Sequence, residues 1–271
     1  MTADAGSHRA RKRFGQNFLH DADVVARIID AIDPMPGQTI VEIGPGQAAL
    51  TGALIKRARH IQAVEIDRDL ATVLRRRFSP AQLTLIEADV LKIDWREIAA
   101  APLRLVGNLP YNISTPLLFA LWPIAERVID QHFMLQREVV ERMVAPPGSK
   151  VYGRLSVMLQ YRYHLSKLFD VPPEAFKPAP KVTSSVVRMH PRPLHELPEI
   201  DAQAFARVVS AAFGQRRKTL RNALADVLSA DEIRDAGVDS QARAETLSVD
   251  SFVELSRRAA AKTSMPECRP S

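Results

Sequence analysis

Short hydrophobic runs alternate with segments of helical periodicity along the first half of the chain. Runs of strand length occur at Thr39–Ile43, Ile61–Ile66, Leu83–Ile86, Leu103–Val106 and Val128–Leu135. Apolar residues spaced three or four apart predict helices at Asp23–Ile32, Leu50–Arg59, Asp69–Phe78 and Pro116–Ala125, the last capped by Thr115. Strands that alternate with helices favour a parallel sheet with helices on both faces.

The second half of the chain changes pattern twice. Tyr161–Phe169 and Ser184–His190 have the pattern of strands with no clear helix between them, which predicts an antiparallel pair at the edge of the sheet. A proline-rich segment ends at Pro198, and only helical patterns follow, at Asp201–Phe213, Lys218–Leu228, Ala230–Ala236 and Asp250–Ala261. We therefore predict an α/β domain over residues 15–198 and a small all-α domain over 199–262, with tails at 1–14 and 263–271.

The composition is that of a folded globular protein, with 46% hydrophobic and 25% charged residues among 271. The longest apolar stretch, Pro116–Ala125, is shorter than the roughly 20 residues that cross a bilayer, and no apolar segment follows the basic amino terminus as in a secretory signal. Cys268 is the single cysteine, so we expect no internal disulfide and a cytoplasmic location. The histidines lack the spacing of metal ligands, and nothing in the sequence requires more than a monomer.

Positive charge is concentrated in two clusters. The chain has 37 Lys and Arg against 31 Asp and Glu, a net charge of +6. One cluster comprises Arg9, Arg11, Lys12 and Arg13, and the other Arg216, Arg217, Lys218 and Arg221. Both suit contacts with phosphate groups, although a disordered tail and a solvated helix face remain alternatives.

A glycine turn follows the first long strand. The segment Val41–Gly46, VEIGPG, lies between a predicted strand and a predicted helix, where glycine lets the backbone approach a nucleotide-like ligand. Gly44, Gly46 and Ala49 also fit the dinucleotide fingerprint. A nicotinamide enzyme, an adenosylmethionine enzyme and a plain tight turn are therefore all compatible with this segment alone.

Carboxylates end the next two strands. Glu65 lies about 20 residues after the glycines, where a carboxylate accepts hydrogen bonds from both ribose hydroxyls of an adenosine-containing ligand. Asp89 ends the following strand, where it could accept a bond from an adenine amino group. The carboxyl ends of parallel strands meet at one end of the sheet, so we expect these residues to line one crevice.

A fourth strand ends in a loop whose chemistry suits a planar base. We predict that Asn108, Leu109, Pro110 and Tyr111 form the catalytic loop. The Asn108 side-chain oxygen and a nearby backbone carbonyl could draw the protons of an exocyclic amine out of the ring plane, which localises its lone pair for attack on a methyl group. Tyr111 could stack on the base, a contact that contributes about 1–3 kcal/mol in single-strand binders. A proline-kinked loop with a turn-capping asparagine is the structural alternative.

These motifs together resemble the RNA adenine dimethylases, and among them the bacterial small-subunit ribosomal RNA adenine dimethyltransferases. The resemblance spans roughly residues 8–262 and is carried by GQNFL, EIGPG, VEID, NLPYNIST, QREVVERM, YGRL, FKPAPKV and FGQRRKTLRN. One departure is Gln47-Ala48, where the family usually has Leu-Gly. We expect cofactor binding to survive this change because alanine is small.

The resemblance implies a fold, a cofactor and a reaction. The fold would be a Rossmann-like methyltransferase with a seven-stranded, mostly parallel sheet, an antiparallel edge strand and a small all-α carboxyl-terminal domain. S-adenosylmethionine would contact Asn17, Leu19, Gly44, Glu65, Asp89 and Asn108 and leave as S-adenosylhomocysteine, with no metal. The reaction would dimethylate N6 of two adjacent adenosines in the 3′-terminal hairpin loop of small-subunit (16S) RNA, with the 30S subunit precursor as partner.

Some assignments and functions remain open at this point. Phe176, in FKPAPKV, could form the far wall of the base pocket or be a core aromatic. A large-subunit RNA adenine dimethylase of the macrolide-resistance type and a non-catalytic assembly or transcription factor are the alternative functions. A nicotinamide oxidoreductase would leave NLPY and the basic clusters without a role.

Overall fold

The computed structural model describes residues 17–264. The predicted tail 1–14, with its basic cluster, and nearly all of 263–271 lie outside them. The strands are β1 (Phe18–Leu19), β2 (Thr39–Ile43), β3 (Ile61–Glu65), β4 (Leu83–Glu87), β5 (Leu103–Asn108), β6 (Val128–Gln136), β7 (Tyr163–Val171), β8 (Phe176–Lys177) and β9 (Ser184–Pro191). The helices are α1 (Ala22–Ile32), α2 (Thr51–Ala58), α3 (Arg68–Arg77), α4 (Trp95–Ile98), α5 (Ser114–Ala120), α6 (Arg137–Met143), α7 (Arg154–Arg162), α8 (Ala202–Gly214), α9 (Leu220–Ala223), α10 (Ala230–Asp235) and α11 (Val249–Ser264).

Seven strands form one sheet in the order β4-β3-β2-β5-β6-β9-β7. The strands from β2 to β6 pair in parallel, and β9 runs antiparallel to β6. The chain builds outward from β2 through β3 to β4 and then returns to place β5 on the other side of β2. Open α/β sheets bind ligands at such a switch point, beyond the carboxyl ends of the strands. The predicted fold class is confirmed, with β9 one position in from the edge strand β7.

The described residues group into two compact units. The first consists of those up to Val140 and those of Ser166–Pro191, and the second consists of those of Glu141–Leu165 and those from Arg192 onward. The predicted all-α region 199–262 lies within the second unit, which also takes in residues 141–165 and 192–198. In this unit α8 buries Phe205 against Tyr161 of α7, with 5.0 Å between ring centroids.

Local sequence explains where α1 begins and what it buries. The Asp21 side chain accepts hydrogen bonds from the backbone N–H groups of Asp23 and Val24, which caps the first turn. The buried face carries Val24, Ile28, Ile29 and Ile32, spaced by three or four residues. This face belongs to the core cluster that also holds Ile40 of β2 and Leu54 of α2.

Three helix predictions need correction. Thr115 is not the cap of α5, because Ile113 occupies that position and the turn from Pro110 continues directly into the helix. The predicted helix Pro116–Ala125 ends at Ala120 and continues as a 3-10 helix containing Pro123, which lacks the N–H that an α-helix needs. The predicted helix Lys218–Leu228 shrinks to four residues, since α9 ends at Ala223.

A packing prediction follows from Gly107 in the central strand β5. A Cβ on this residue would lie 2.6 Å from the backbone oxygen of Ile43 in β2. Gly107→Ala should therefore lower the free energy of unfolding by about 3 kcal/mol, measured by urea denaturation. Gly52→Ala in α2 is the matched control, because its Cβ would meet nothing nearer than 3.9 Å, and it should leave stability equal or slightly higher. Equal midpoints for the two variants would contradict the close approach of β2 and β5.

Candidate active site

A cavity of about 220 Å³ opens at the carboxyl ends of β2, β3, β4 and β5. It lies within the first unit, and the segment around β1 forms another part of its wall. The predicted residues that line it are Asn17, Leu19, Gly44, Glu65, Asp89, Asn108, Leu109, Pro110 and Tyr111. The structure thus brings the predicted cofactor residues and the predicted catalytic loop together around one space.

The backbone of the glycine turn adopts a conformation that favours residues without a Cβ. Gly44 and Gly46 have φ angles of +66° and +56°, in the left-handed region that favours glycine. A Cβ on Gly46 would also come within 3.3 Å of the Phe18 ring. Ala48 has φ of +68°, so this chain holds an alanine in a conformation that costs an L-residue about 1 kcal/mol or more. The turn closes nevertheless, because the N–H of Ala48 donates to Pro45 O at 2.8 Å.

Glu65 joins the end of β3 to the glycine turn. Its carboxylate is buried and accepts hydrogen bonds from the N–H of Gly46 at 3.1 Å and from the N–H of Asp67 at 2.9 Å. Burial raises the pKa of Glu65 above its ordinary value, and the two N–H donors oppose that rise. The side chain is therefore fixed in place before any ligand arrives.

Glu42 is a second buried carboxyl group in the cavity wall, and our sequence analysis missed it. Thr51 Oγ1 donates a hydrogen bond to its carboxylate at 2.7 Å. Burial raises the pKa of Glu42 to about 7, well above the ordinary value of a carboxyl group. The available signal was an acidic residue inside the otherwise apolar strand β2, two residues before Gly44.

The amide of Asn108 has a defined orientation. Its Nδ2 donates to the backbone oxygen of Asn17 at 3.0 Å. Asn17 immediately precedes β1, which is held by antiparallel pairing of Leu19 with Phe176 of β8. Because the amino end of the amide faces Asn17, its Oδ1 is available as an acceptor on the other side. The loop backbone is held as well, since the N–H of Leu109 donates to Met134 O at 3.1 Å.

Asp89 and two apolar side chains complete another part of the cavity wall. Asp89 accepts a hydrogen bond from the N–H of Leu91 at 3.1 Å and lies 3.6 Å from the Lys92 ammonium. Ile66 and Leu91 line the cavity while 49% and 38% exposed, respectively. Sequence analysis did not identify either residue as part of the site. The available signal was the position of these apolar residues, one directly after Glu65 and the other two positions after Asp89. Such walls suit a flat, apolar ring.

Phe176 lies in the core of the first unit. It is 3% exposed, pairs with Leu19 and packs in the core cluster, and it is not among the residues that line the cavity. The structure therefore matches the interpretation of Phe176 as a core aromatic. A contact between Phe176 and RNA stays a prediction.

The second basic cluster divides into two parts. Arg216 is engaged within the second unit, where its guanidinium contacts Glu245 at 3.2 Å and the backbone oxygens of Lys150 and Tyr152. Arg217, Lys218 and Arg221 are exposed. Arg217 lies in the turn before α9 and Arg221 lies in the helix, so the two residues do not share a helix face. Contacts of these side chains with RNA stay predictions.

Among residues 17–264, no group of three or more His, Cys, Asp or Glu side chains is arranged to hold a metal ion. No helix in this part of the chain has the length and apolar character needed to cross a membrane.

Comparison with known proteins identifies the family of this chain. The family model described as ribosomal RNA adenine dimethylase matches residues 7–261. The chain belongs to this family. It is 57% identical over 256 residues to the ribosomal RNA small subunit methyltransferase A of Aromatoleum aromaticum, which covers 94% of this chain and 96% of the relative.

Two solved structures share the fold of this dimethylase. A dimethyladenosine transferase from Plasmodium falciparum superposes with a TM-score of 0.76 and 22% identity, covering 88% of this chain and 95% of the other. The 23S rRNA methyltransferase ErmE superposes with a TM-score of 0.69 and 25% identity, covering 90% of this chain and 100% of the other. The fold is thus shared across most of each chain.

Proposed function

We propose that the protein uses S-adenosylmethionine to dimethylate N6 of two adjacent adenosines in the 3′-terminal hairpin loop of small-subunit ribosomal RNA, in the cytoplasm. The observation that carries this proposal is the orientation of Asn108. Its Nδ2 donates to Asn17 O, which leaves its Oδ1 as an acceptor, and Asn108 lines the same cavity as the predicted cofactor residues. Membership of the adenine dimethylase family and a 57% identical small-subunit methyltransferase support the same substrate.

The cavity residues fit S-adenosylmethionine. The buried Glu65 carboxylate, at the end of β3, suits the two ribose hydroxyls. Ile66 and Leu91 suit the faces of an adenine ring, and Asp89 suits its amino group. The carboxyl groups of Glu42 and Glu65 favour a cationic ligand, and the positive charge would in turn favour their ionised forms. When bound, the cofactor supplies an electrophilic methyl group.

The chain's own residues would activate the target amine by position. The adenine N6 lone pair is delocalised into the ring, which makes the amine a poor nucleophile. Asn108 Oδ1 and a backbone carbonyl of the loop would accept hydrogen bonds from the two N6–H groups and draw them out of the ring plane. The amine would release one proton to solvent for each methyl group that it gains. Tyr111 would hold the ring by stacking. Orientation of this kind lowers a barrier without a covalent enzyme intermediate, and none is proposed.

The target adenosines must leave their stack to enter the cavity. Splaying out a base costs a few kcal/mol and is cheapest where the base is already unpaired. A hairpin loop is therefore a suitable substrate. Basic side chains of the second unit would supply phosphate contacts that position the loop without reading its sequence.

The substrate is tested by mapping the product. The protein is incubated with labelled S-adenosylmethionine and either small subunits that lack the modification or naked large-subunit RNA. We expect N6,N6-dimethyladenosine at two adjacent positions of the small-subunit RNA. Label confined to the large-subunit RNA would favour the alternative function, which is that of the structurally similar 23S rRNA methyltransferase. The absence of label on both RNAs would favour a non-catalytic factor.

A second prediction concerns the exposed cations near α9. Replacing both Arg217 and Arg221 by Ala should lower the slope of log Kd for RNA against log salt by about one unit per lost phosphate contact. The control replaces Arg257 and Arg258, which are exposed but paired with Glu254 and Asp235. An unchanged slope in the first variant would identify Arg217 and Arg221 as ordinary solvated surface.

A further inference from the structure

The antiparallel strand β9 brings its first residue to the cavity end of the sheet. Ser184 is paired with Gln136, the last residue of the parallel strand β6. The amino end of an antiparallel strand lies where its parallel neighbours have their carboxyl ends. Ser184 therefore lies at the same end of the sheet as Asn108, which is paired with Met134 of β6.

Ser184 contacts the predicted catalytic loop through one side chain. Its hydroxyl lies 2.7 Å from the Tyr111 hydroxyl, and its own side chain is completely buried. Tyr111 lines the cavity, whereas Ser184 is not among the lining residues. Burial raises the pKa of Tyr111 above its usual 10, so the phenol stays protonated at neutral pH and the two hydroxyls remain able to bond.

A second hydrogen bond of Tyr111 fixes its backbone rather than its ring. Its carbonyl oxygen accepts a hydrogen bond from Ser114 Oγ at 3.0 Å. A tyrosine ring with a fixed backbone still rotates about its side-chain torsions. The hydroxyl contact with Ser184 lies at the far end of the ring. Because this end moves furthest when the side-chain torsions rotate, a contact there restricts the rotation most.

We propose that Ser184 is a positioning residue that holds the Tyr111 ring in the orientation in which it stacks on the target adenine. This inference rests on the proposed function, because it assigns Tyr111 to the base. Ser184 would act through Tyr111 without touching the substrate or the cofactor.

The next residue in the chain provides a matched control. Ser185 is equally buried, but its hydroxyl donates to Asp170 and not to the catalytic loop. Successive strand residues point to opposite faces, so Ser184→Ala and Ser185→Ala remove the same atom from neighbouring positions with different partners.

The experiment is a double-mutant cycle measured on small subunits that lack the modification. We expect Ser184→Ala to lower kcat about three- to tenfold, as for the loss of one hydrogen bond, with KM for the subunit and Kd for S-adenosylhomocysteine within twofold of wild type. Tyr111→Phe keeps the ring and should lower kcat by a similar factor. The variant carrying both changes should be no slower than Tyr111→Phe alone, and Ser185→Ala should stay within twofold of wild type.

Two results would overturn the role of Ser184 in an active enzyme: a Ser184→Ala variant as fast as wild type, or a double variant whose loss is the product of the two single losses. If Ser184→Ala does not fold, Tyr111→Phe alone decides the matter, because wild-type activity in that variant would exclude any contribution of the hydroxyl pair. A wild-type protein that methylates no RNA would overturn the proposed function and this inference with it.

Discussion

Asn108→Ala should reduce kcat for methyl transfer by at least about 10²- to 10³-fold, the effect of removing one preorganised hydrogen-bonding group from an active site. The variant lacks the oxygen that accepts from the adenine amine. It also loses the donor to Asn17 O, the contact that orients the amide. Single-turnover assays on unmodified small subunits measure the effect directly. RNA affinity should stay within a few fold of wild type, because phosphate contacts dominate binding.

Asn108→Asp separates the two ends of the amide. The carboxylate keeps an acceptor oxygen but has no N–H to donate to Asn17 O, and it places an oxygen against that carbonyl oxygen. We expect a loss of activity of about the same size as for Asn108→Ala. Wild-type turnover in the Ala variant would exclude the proposed activation of the amine, and wild-type turnover in the Asp variant would exclude the orienting role of Asn17.

Glu65→Gln should weaken the binding of S-adenosylhomocysteine about 100-fold, as measured by isothermal titration calorimetry. The carboxylate is proposed to accept bonds from two ribose hydroxyls, and hydrogen bonds to a charged group contribute about 1.5–3 kcal/mol each. The amide that replaces it has one acceptor oxygen and presents an N–H₂ group to a donor.

The neighbouring strand offers the control for this change. Glu87 ends β4, is paired with Glu65 in the sheet register, and forms an exposed ion pair with Arg75. Glu87→Gln makes the same chemical change one strand away and should bind S-adenosylhomocysteine within twofold of wild type. Equal affinities for the Glu65 and Glu87 variants would remove Glu65 from the cofactor site.

Much of the site was predictable because parallel strands end at a common place. Glu65, Asp89 and Asn108 each follow an apolar run, and topology alone brings such positions together. The glycine turn was predictable as part of this site, because it follows strand β2 at the same end of the sheet. The left-handed φ of Ala48 was not predictable, because this conformation is expected of glycine and not of alanine.

Other features of the site escaped prediction because they depend on contacts between distant segments. β1 and β8 are each two residues long, too short for a hydrophobic period, and they exist because Phe18 and Leu19 pair with Lys177 and Phe176. That pairing lies next to Asn17, whose carbonyl orients Asn108. Ser184 likewise faces Tyr111 across a separation of 73 residues. No local pattern encodes a pairing of that kind.

Helix α9 illustrates a different limit. The segment Lys218–Leu228 has helical spacing, yet the helix stops at Ala223. The N–H groups of Leu220 and Arg221 donate to the oxygens of Ala242 and Ser240, so a distant loop fixes the first turn. Tertiary hydrogen bonds of this kind fix where the helix begins, which the local spacing does not show.

A crystal structure of the protein with S-adenosylhomocysteine tests the site most directly. We predict that the ribose hydroxyls lie on the Glu65 carboxylate, the adenine lies between Ile66 and Leu91, and the sulfur faces the loop that begins at Asn108. An empty cavity at saturating ligand, or a ligand bound elsewhere on the chain, would contradict the proposed site.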